Sequence, residues 1–251
     1  MLSQDCFSYT MKVIYESTGT ARELAPLAVR LYFGGCAHGC LYCHGPQTER
    51  QRRAAFINHA RLRQEVLIHL KSNAQRLRGD DREILVSFGS DPYQPLEMHF
   101  QTTRQAIQIL IDNELRVVIL TKGGMRAARD FDLLGTYDRC RFGTTVVFTN
   151  QADASRWEPN APPVADRIQA IHQANGRGIK TWVCLQPVIY PEQALELIQE
   201  LHPVVGHWKL GMLNYRKLPR PVNWMKFRKD ARDLLDLLGA NYYFNEDLKE
   251  L

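Results

Sequence analysis

Strand-like and helix-like segments alternate along almost the whole chain, and this alternation restricts the fold more than any other property of the sequence. Residues 27–33 run LAVRLYF, apolar and aromatic, and stop at Gly34-Gly35 as a strand entering a loop does. Similar apolar runs recur at 83–89, 115–121, 141–149, 179–187 and 204–213. Between them, residues 50–77, 101–111, 127–134, 165–174 and 191–201 place apolar side chains at helical spacing. The tail predicts a helix over 223–238 and a short aromatic strand, Asn-Tyr-Tyr-Phe. Six strand–helix units in strict order imply an α/β fold with a parallel sheet and helices outside it. Doubly wound sheets and (β/α) barrels both satisfy that pattern, and periodicity does not separate them. No linker, repeat or low-complexity tract interrupts it. One domain over 1–251 is therefore expected, with a core of about 27–215 and a C-terminal extension over 216–251.

The apolar content of 45% and charged content of 24% are those of a globular chain, not a disordered one. The N-terminal MLSQDCFSYT has neither a basic start nor an apolar stretch, and no run of about eighteen apolar residues exists. A cytoplasmic protein without a membrane partner is expected. Six cysteines in that setting read as ligands, reactive thiols or core residues before disulfides. The net charge of +5 suits an anionic substrate, but the basic residues are spaced. Arg50, Arg52, Arg53, Arg61 and Arg63 fall within the helix expected over 50–77, and Arg216, Lys217, Arg220, Lys226, Arg228 and Lys229 follow later. A scattered solvated surface is the simpler reading.

The densest chemical signal is Gly34-Gly35-Cys36-Ala37-His38-Gly39-Cys40-Leu41-Tyr42-Cys43, a Cys-x3-Cys-x2-Cys loop directly after the first strand. Ligands in parallel α/β folds gather at the C-terminal ends of strands. Three thiolates can hold three corners of a 4Fe–4S cluster and leave the fourth iron without a protein ligand, where S-adenosylmethionine can chelate through its amine and carboxylate. Two other readings stand beside this one. A structural zinc site would take His44 or His38 as fourth ligand, although no second ligand pair follows at the usual distance. The thiols could also simply fill a small core.

With Tyr42 before the last cysteine, the motif resembles the radical S-adenosylmethionine (radical SAM) superfamily. The resemblance extends along roughly 27–215 through Ser-Phe-Gly-Ser-Asp-Pro-Tyr-Gln-Pro-Leu-Glu (87–97), Val-Val-Ile-Leu-Thr-Lys-Gly-Gly (117–124), Trp157-Glu158-Pro159 and Gln186-Pro187. That series is similar to the spore photoproduct lyase-like branch, often described as DNA repair photolyase-like. The resemblance implies a partial (β/α)6 TIM-like barrel with a 4Fe–4S cluster at its mouth, held by Cys36, Cys40 and Cys43. It places Gly89, Ser90 and Asp91 at the methionine amine of S-adenosylmethionine, Lys122 at its carboxylate, Thr144 and Thr145 near that contact or the ribose, and Tyr42 against cluster and cofactor. Asp91-Pro92 also reads as a turn start, and Thr144 and Thr145 as ordinary strand formers. Glu158-Pro159 reads as a loop-to-helix entry with no chemical role.

The resemblance breaks at Phe88. Spore photoproduct lyase carries its hydrogen-donating cysteine three residues before that Asp, and a phenyl ring cannot replace it. Cys140 and Cys184 are the candidate substitutes, Cys184 ahead because Gln186 shares its strand face. Cys6 receives no role, and the catalytic residue stays unknown. With about 26 residues before the first strand and no evident DNA-opening hairpin, repair of spore photoproduct itself is not expected. The expected activity is reductive cleavage of S-adenosylmethionine to a radical that takes hydrogen from a substrate, with nucleic acid or a nucleotide slightly favoured. The expected electron donor is a flavodoxin or ferredoxin. The alternatives are a nucleic-acid-binding module with a structural metal site and a cluster-binding barrel without turnover. The tail from Pro219, with Trp224, Phe227, Tyr242, Tyr243 and Phe244, is expected to close the open side of the barrel.

Overall fold

The computed structural model describes residues 11–213 and 218–251; Cys6, Arg216 and Lys217 lie outside them. Ten strands occur among the described residues: β1 (Ile14–Glu16), β2 (Leu27–Val29), β3 (Tyr32–Phe33), β4 (Arg61–Leu62), β5 (Glu83–Val86), β6 (Arg116–Thr121), β7 (Cys140–Thr145), β8 (Lys180–Val188), β9 (His207–Met212) and β10 (Tyr242–Phe244). Eight of them form one sheet in the order β1-β2-β5-β6-β7-β8-β9-β10. Every neighbouring pair is parallel except β1 with β2. Helices Val66–Arg76, Thr102–Asp112, Phe131–Gly135, Val164–Gly176, Pro191–Leu201 and Trp224–Leu237 connect the parallel strands. The result is the partial barrel that the resemblance implied. None of the described helices is long and apolar enough to cross a membrane.

The helix Pro191–Leu201 shows how the outer layer forms. Pro191 opens it with a pre-set φ, Glu192 meets the positive helix end, and Ala194, Leu197, Ile198 and Leu201 turn one stripe inward. Those side chains join the main apolar core between sheet and helices. The inner face of the sheet carries its own smaller cluster, Ala25, Ala28, Leu85, Val118, Trp182 and Cys184, with Phe88 and Leu120 packed against it. Trp182 fits there because Gly143 on β7 has no side chain: a Cβ would stand 2.3 Å from its ring. The Trp182 indole N–H donates to the Ile119 carbonyl at 3.1 Å. Trp182 is thus the largest side chain of the lumen cluster, with Phe88 packed at its border.

Three expectations need correction. The strand over 27–33 divides: Leu27–Val29 stays in the sheet, while Tyr32–Phe33 leaves to pair with Arg61–Leu62. The helix over 50–77 is two helices, Arg53–Asn58 and Val66–Arg76, separated by β4. It breaks because the Phe56 carbonyl accepts the Cys36 N–H at 3.0 Å, and Glu65 then takes a left-handed conformation with φ 53°. The tail strand β10 extends the sheet beside β9, leaving β1 and β10 as its two edges. A buried ion pair spans the seam instead: Lys209 Nζ on β9 donates to Glu23 Oε2 at 2.7 Å, with its charge over the Tyr243 ring.

Candidate functional site

The cysteine loop lies beyond the end of β3 and is held on several sides. Gly35 packs so tightly against the Arg53–Asn58 helix that a Cβ there would fall 1.8 Å from the Phe56 carbonyl oxygen. Only glycine permits this approach. Arg53 reaches back to donate to the Cys40 carbonyl at 2.5 Å and the Cys43 carbonyl at 3.2 Å. Cys40 is buried, whereas Cys36 and Cys43 are partly exposed. Burial pushes the Cys40 thiol up, against the pull of nearby Lys122. Burial likewise raises Cys43, opposed by the Gly45 N–H, which donates to its sulfur at 3.3 Å.

Asp91 ends the β5 loop as a saturated acceptor. Its Oδ1 accepts from the Tyr93 N–H at 2.8 Å and the Thr121 hydroxyl at 2.5 Å, and its Oδ2 from the Lys122 N–H at 2.7 Å. His38 Nδ1 stands 3.4 Å from Oδ2. Burial alone would raise this carboxyl, but His38, the Thr121 hydroxyl and the Lys122 N–H outweigh it and hold the pKa below the ordinary range. Arg126 Nη2 lies 2.8 Å from His38 Nε2. Burial works against a charge on this ring, but Asp91 outweighs it and raises the His38 pKa to about 9. Both His38 nitrogens are therefore engaged within the protein, and His44 Nδ1 contacts Gln47 Oε1 at 2.6 Å. Among the described residues, no three His, Cys, Asp or Glu groups converge on one ion position.

The other residues singled out in the sequence surround this centre. Ser90 donates to the Tyr32 carbonyl at 3.3 Å, and Gly89 takes a φ of 85° near Arg30. The Thr144 hydroxyl donates to the Thr121 carbonyl at 3.1 Å. Thr145 lies on the same strand face as Gly143, toward the lumen, and pairs in register with Cys184. Cys184 belongs to the lumen cluster, while Cys140 is buried in the outer core at the opposite end of its strand, where burial raises its thiol to about 12. Phe88 packs against the lumen cluster.

Lys122, Tyr42 and Glu158 meet at the heart of the site. The Tyr42 hydroxyl donates to Glu158 Oε1. Lys122 Nζ stands 4.0 Å from the same oxygen and 5.3 Å from the centre of the Tyr42 ring, keeping 16% side-chain exposure. Burial works against its charge, but Cys40 and Glu158 hold its pKa above the ordinary lysine value. Arg167 Nη1 pairs with Glu158 Oε2 at 2.6 Å. Sequence reasoning gave Glu158 no role and missed Arg167 entirely. The only local signal was a carboxylate wedged between Trp157 and Pro159 ahead of a helix.

The residues present fit an iron–sulfur cluster and S-adenosylmethionine on three counts. Three separate thiols form the donor set. Two cations, Lys122 and Arg167, share the single Glu158 carboxylate, which leaves net positive charge beside Cys40 for an anionic group. Gln94 is fully buried and accepts the Ala37 N–H at 3.1 Å, while its Nε2 has no partner among the described residues. Bonded to the same carbon as that acceptor, Nε2 lies beside the cysteine loop.

The chain resembles known proteins in sequence and in fold. "Uncharacterized protein ORF301" of Acidianus two-tailed virus is 23% identical over 194 residues, 74% of this chain and 64% of that protein. "Uncharacterized protein MJ0683" of Methanocaldococcus jannaschii is 26% identical over 186 residues, 72% and 68% of the two chains. The chain therefore spans slightly under two thirds of the viral relative. Among solved structures, a spore photoproduct lyase complexed with dinucleoside spore photoproduct superposes with a TM-score of 0.68 at 15% identity, covering 93% of this chain and 80% of that one. A mutant of such a lyase with bound AdoMet and dinucleoside spore photoproduct gives 0.65 at 16% identity, covering 88% and 77%. Streptococcus suis SuiB bound to S-adenosylmethionine gives 0.56 at 13% identity, covering 70% and 41%. These likenesses establish a shared partial barrel. A sequence profile of the Radical SAM superfamily matches residues 31–202, more than half of the chain, and the chain accordingly belongs to the Radical SAM superfamily of enzymes.

Proposed function

We propose that Cys36, Cys40 and Cys43 hold a 4Fe–4S cluster and that the chain uses it on S-adenosylmethionine to act on a nucleic acid or nucleotide. When bound, the cluster supplies the electron that cleaves S-adenosylmethionine to methionine and a 5′-deoxyadenosyl radical, which takes hydrogen from the substrate. The observation that carries the reading is the partly exposed Lys122 ammonium, standing 5.3 Å from the ring centre of Tyr42 in the cysteine loop and 4.0 Å from Glu158 Oε1. Lys122 meets the cofactor carboxylate. Tyr42 walls the same space with its ring, and Gln94 offers Nε2 to the loop. Gly89 and Ser90 line the approach to the amine. Asp91, saturated by four protein donors, fixes the ends of β5 and β6 relative to the cysteine loop. Thr145 faces the lumen beside them.

The substrate class rests on charge. From Arg30 to Arg63 the chain has six arginines and one carboxylate, Glu49, so this stretch carries a net +5, equal to that of the entire chain. Arg50, Arg52 and Arg61 are exposed, and Arg61 lies over the exposed Phe33 ring at 5.4 Å. Guanidinium groups with an aromatic platform suit phosphates and bases. A flavodoxin or ferredoxin in the reducing cytoplasm is the electron donor we assign.

The test is anaerobic reconstitution with iron and sulfide, reduction with dithionite, addition of S-adenosylmethionine, and detection of 5′-deoxyadenosine by mass spectrometry. A Cys36→Ala, Cys40→Ala, Cys43→Ala variant is the control. Product from the intact chain and none from the variant is the expected result. An iron content near zero in the reconstituted intact chain ends the proposal.

A further inference from the structure

The cysteine loop is braced by one short segment from the far side of the barrel. The Leu41 N–H donates to the Trp157 carbonyl at 2.7 Å, the Asn160 N–H to the His38 carbonyl at 3.2 Å, and Asn160 Nδ2 to the Ala37 carbonyl at 3.0 Å. The Tyr42 hydroxyl donates to Glu158. Residues 157–160 therefore grip both intervals between the cysteines while leaving the sulfurs free of the brace.

Bracing alone does not call for a carboxylate. Glu158 is 2% exposed, and a buried carboxylate is costly unless paired; a backbone carbonyl would have satisfied the Tyr42 hydroxyl as well. The remaining partners of Glu158 explain the charge. Arg167 Nη1 makes a close ion pair with its Oε2 at 2.6 Å, without an aligned hydrogen bond, and is itself fixed by the Pro162 and Thr145 carbonyls, both at 3.1 Å. Lys122 Nζ faces its other oxygen at 4.0 Å, close enough for attraction and too long for a hydrogen bond. Its ammonium is drawn toward Glu158 and the Tyr42 ring without donating its hydrogens to that carboxylate.

Resting on the reading that the cluster and S-adenosylmethionine bind here, we propose that Glu158 is a positioning residue. It holds the Lys122 ammonium and the Tyr42 ring as one unit, so that the lysine hydrogens stay directed to the cofactor carboxylate. Arg167 keeps Glu158 in place. Glu158 itself touches neither iron nor cofactor.

The test compares the reconstituted wild type with Glu158→Gln and Tyr42→Phe. Four quantities are read: iron per chain, the S-adenosylmethionine dissociation constant, the cofactor-induced change in the EPR signal of the reduced cluster, and the thermal midpoint of the metal-free chain. Glu158→Gln is expected to keep its iron and to bind S-adenosylmethionine about 10- to 100-fold more weakly, the usual range for a group that orients a ligand from behind. Its EPR change then needs correspondingly more cofactor. Tyr42→Phe keeps the ring and is expected to shift the same quantities in the same direction, which decides the matter if Glu158→Gln does not fold. Lowered thermal midpoints with an unchanged dissociation constant and EPR response would make Glu158 purely structural and overturn the proposal. A wild type that takes up no iron would instead refute the function reading on which it rests.

Discussion

The Tyr42 hydroxyl donates a hydrogen bond to the Glu158 carboxylate, joining residues 116 positions apart. One belongs to the cysteine loop and the other to the entry of the fourth strand–helix connection. Glu158 is in turn paired with Arg167, and both side chains are essentially without solvent exposure. Replacing Arg167 with Met leaves a buried carboxylate without its anchoring cation. Breaking one side of a buried pair typically costs about 3–5 kcal/mol. Urea denaturation of Arg167→Met should show that loss, and Glu158→Gln in the same chain should recover part of it.

Gly35→Ala should disable the loop through shape alone. Its Cβ would lie 1.8 Å from the Phe56 carbonyl oxygen, which also accepts the Cys36 N–H. Backbone, not a yielding side chain, blocks the space. Iron uptake on reconstitution should fall sharply while circular dichroism of the barrel persists. Normal iron uptake by Gly35→Ala would contradict the geometry.

The Lys209–Glu23 pair should behave as a clasp across the sheet edges. Lys209 is 2% exposed and Glu23 15%. Lys209→Met is expected to destabilise the chain by about 3 kcal/mol because Glu23 loses its partner. Adding Glu23→Gln should return much of that, giving a coupling energy well above the half kilocalorie of independent sites. Additive single effects in chemical denaturation would show that the two ends of the sheet are not joined here.

His207 should make stability fall in mild acid. Burial first, and then the positive charges of Arg141 and Lys209, push its pKa down from 6.5 to about 4. Between those values the unfolded chain holds the proton and the folded chain does not, so stability decreases as pH drops from 6.5 to 4. Above 6.5 the residue is neutral in both states and contributes no slope. His207→Gln should flatten the thermal midpoint across that window relative to the parent.

Nucleic-acid binding through the arginine-rich stretch should weaken with salt. Each phosphate contact adds about 0.9 to the slope of log K against log salt for duplex DNA and about 0.7 for single strands. Arg50→Gln, Arg52→Gln and Arg61→Gln, tested one at a time by fluorescence anisotropy at several salt concentrations, should each lower the slope by roughly one such contact. A slope independent of all three would remove the charge argument for a polyanionic substrate.

What the sequence revealed and what it hid follow from the range of the interactions involved. The cysteine spacing and the order of strands and helices are local patterns, and 27–33, 83–89 and 115–121 all announce strands by themselves. The division of 50–77 is not local, because it depends on Cys36 taking the Phe56 carbonyl from the helix. The departure of Tyr32–Phe33 from the sheet likewise needs Arg61–Leu62 as a partner. Asp91 could be singled out from its motif, but its saturation by Thr121, Lys122 and Tyr93 becomes visible only when β5 and β6 lie side by side. Glu158 was the least legible of all. A buried carboxylate has no period, and its meaning resides in Tyr42, Lys122 and Arg167, all on other elements.

The brace from Trp157 to Asn160 also sets an order of assembly. A growing chain displays all three loop thiols more than a hundred residues before it contains the segment that shapes the intervals between them. Until residue 160 has been made and folded back, the cysteines are three thiols on an unbraced loop. Iron arriving that early meets a loop that still lacks the contacts of its finished form. On the proposed reading of the site, a cluster delivered once residues 157–160 have folded back meets the loop in its braced form.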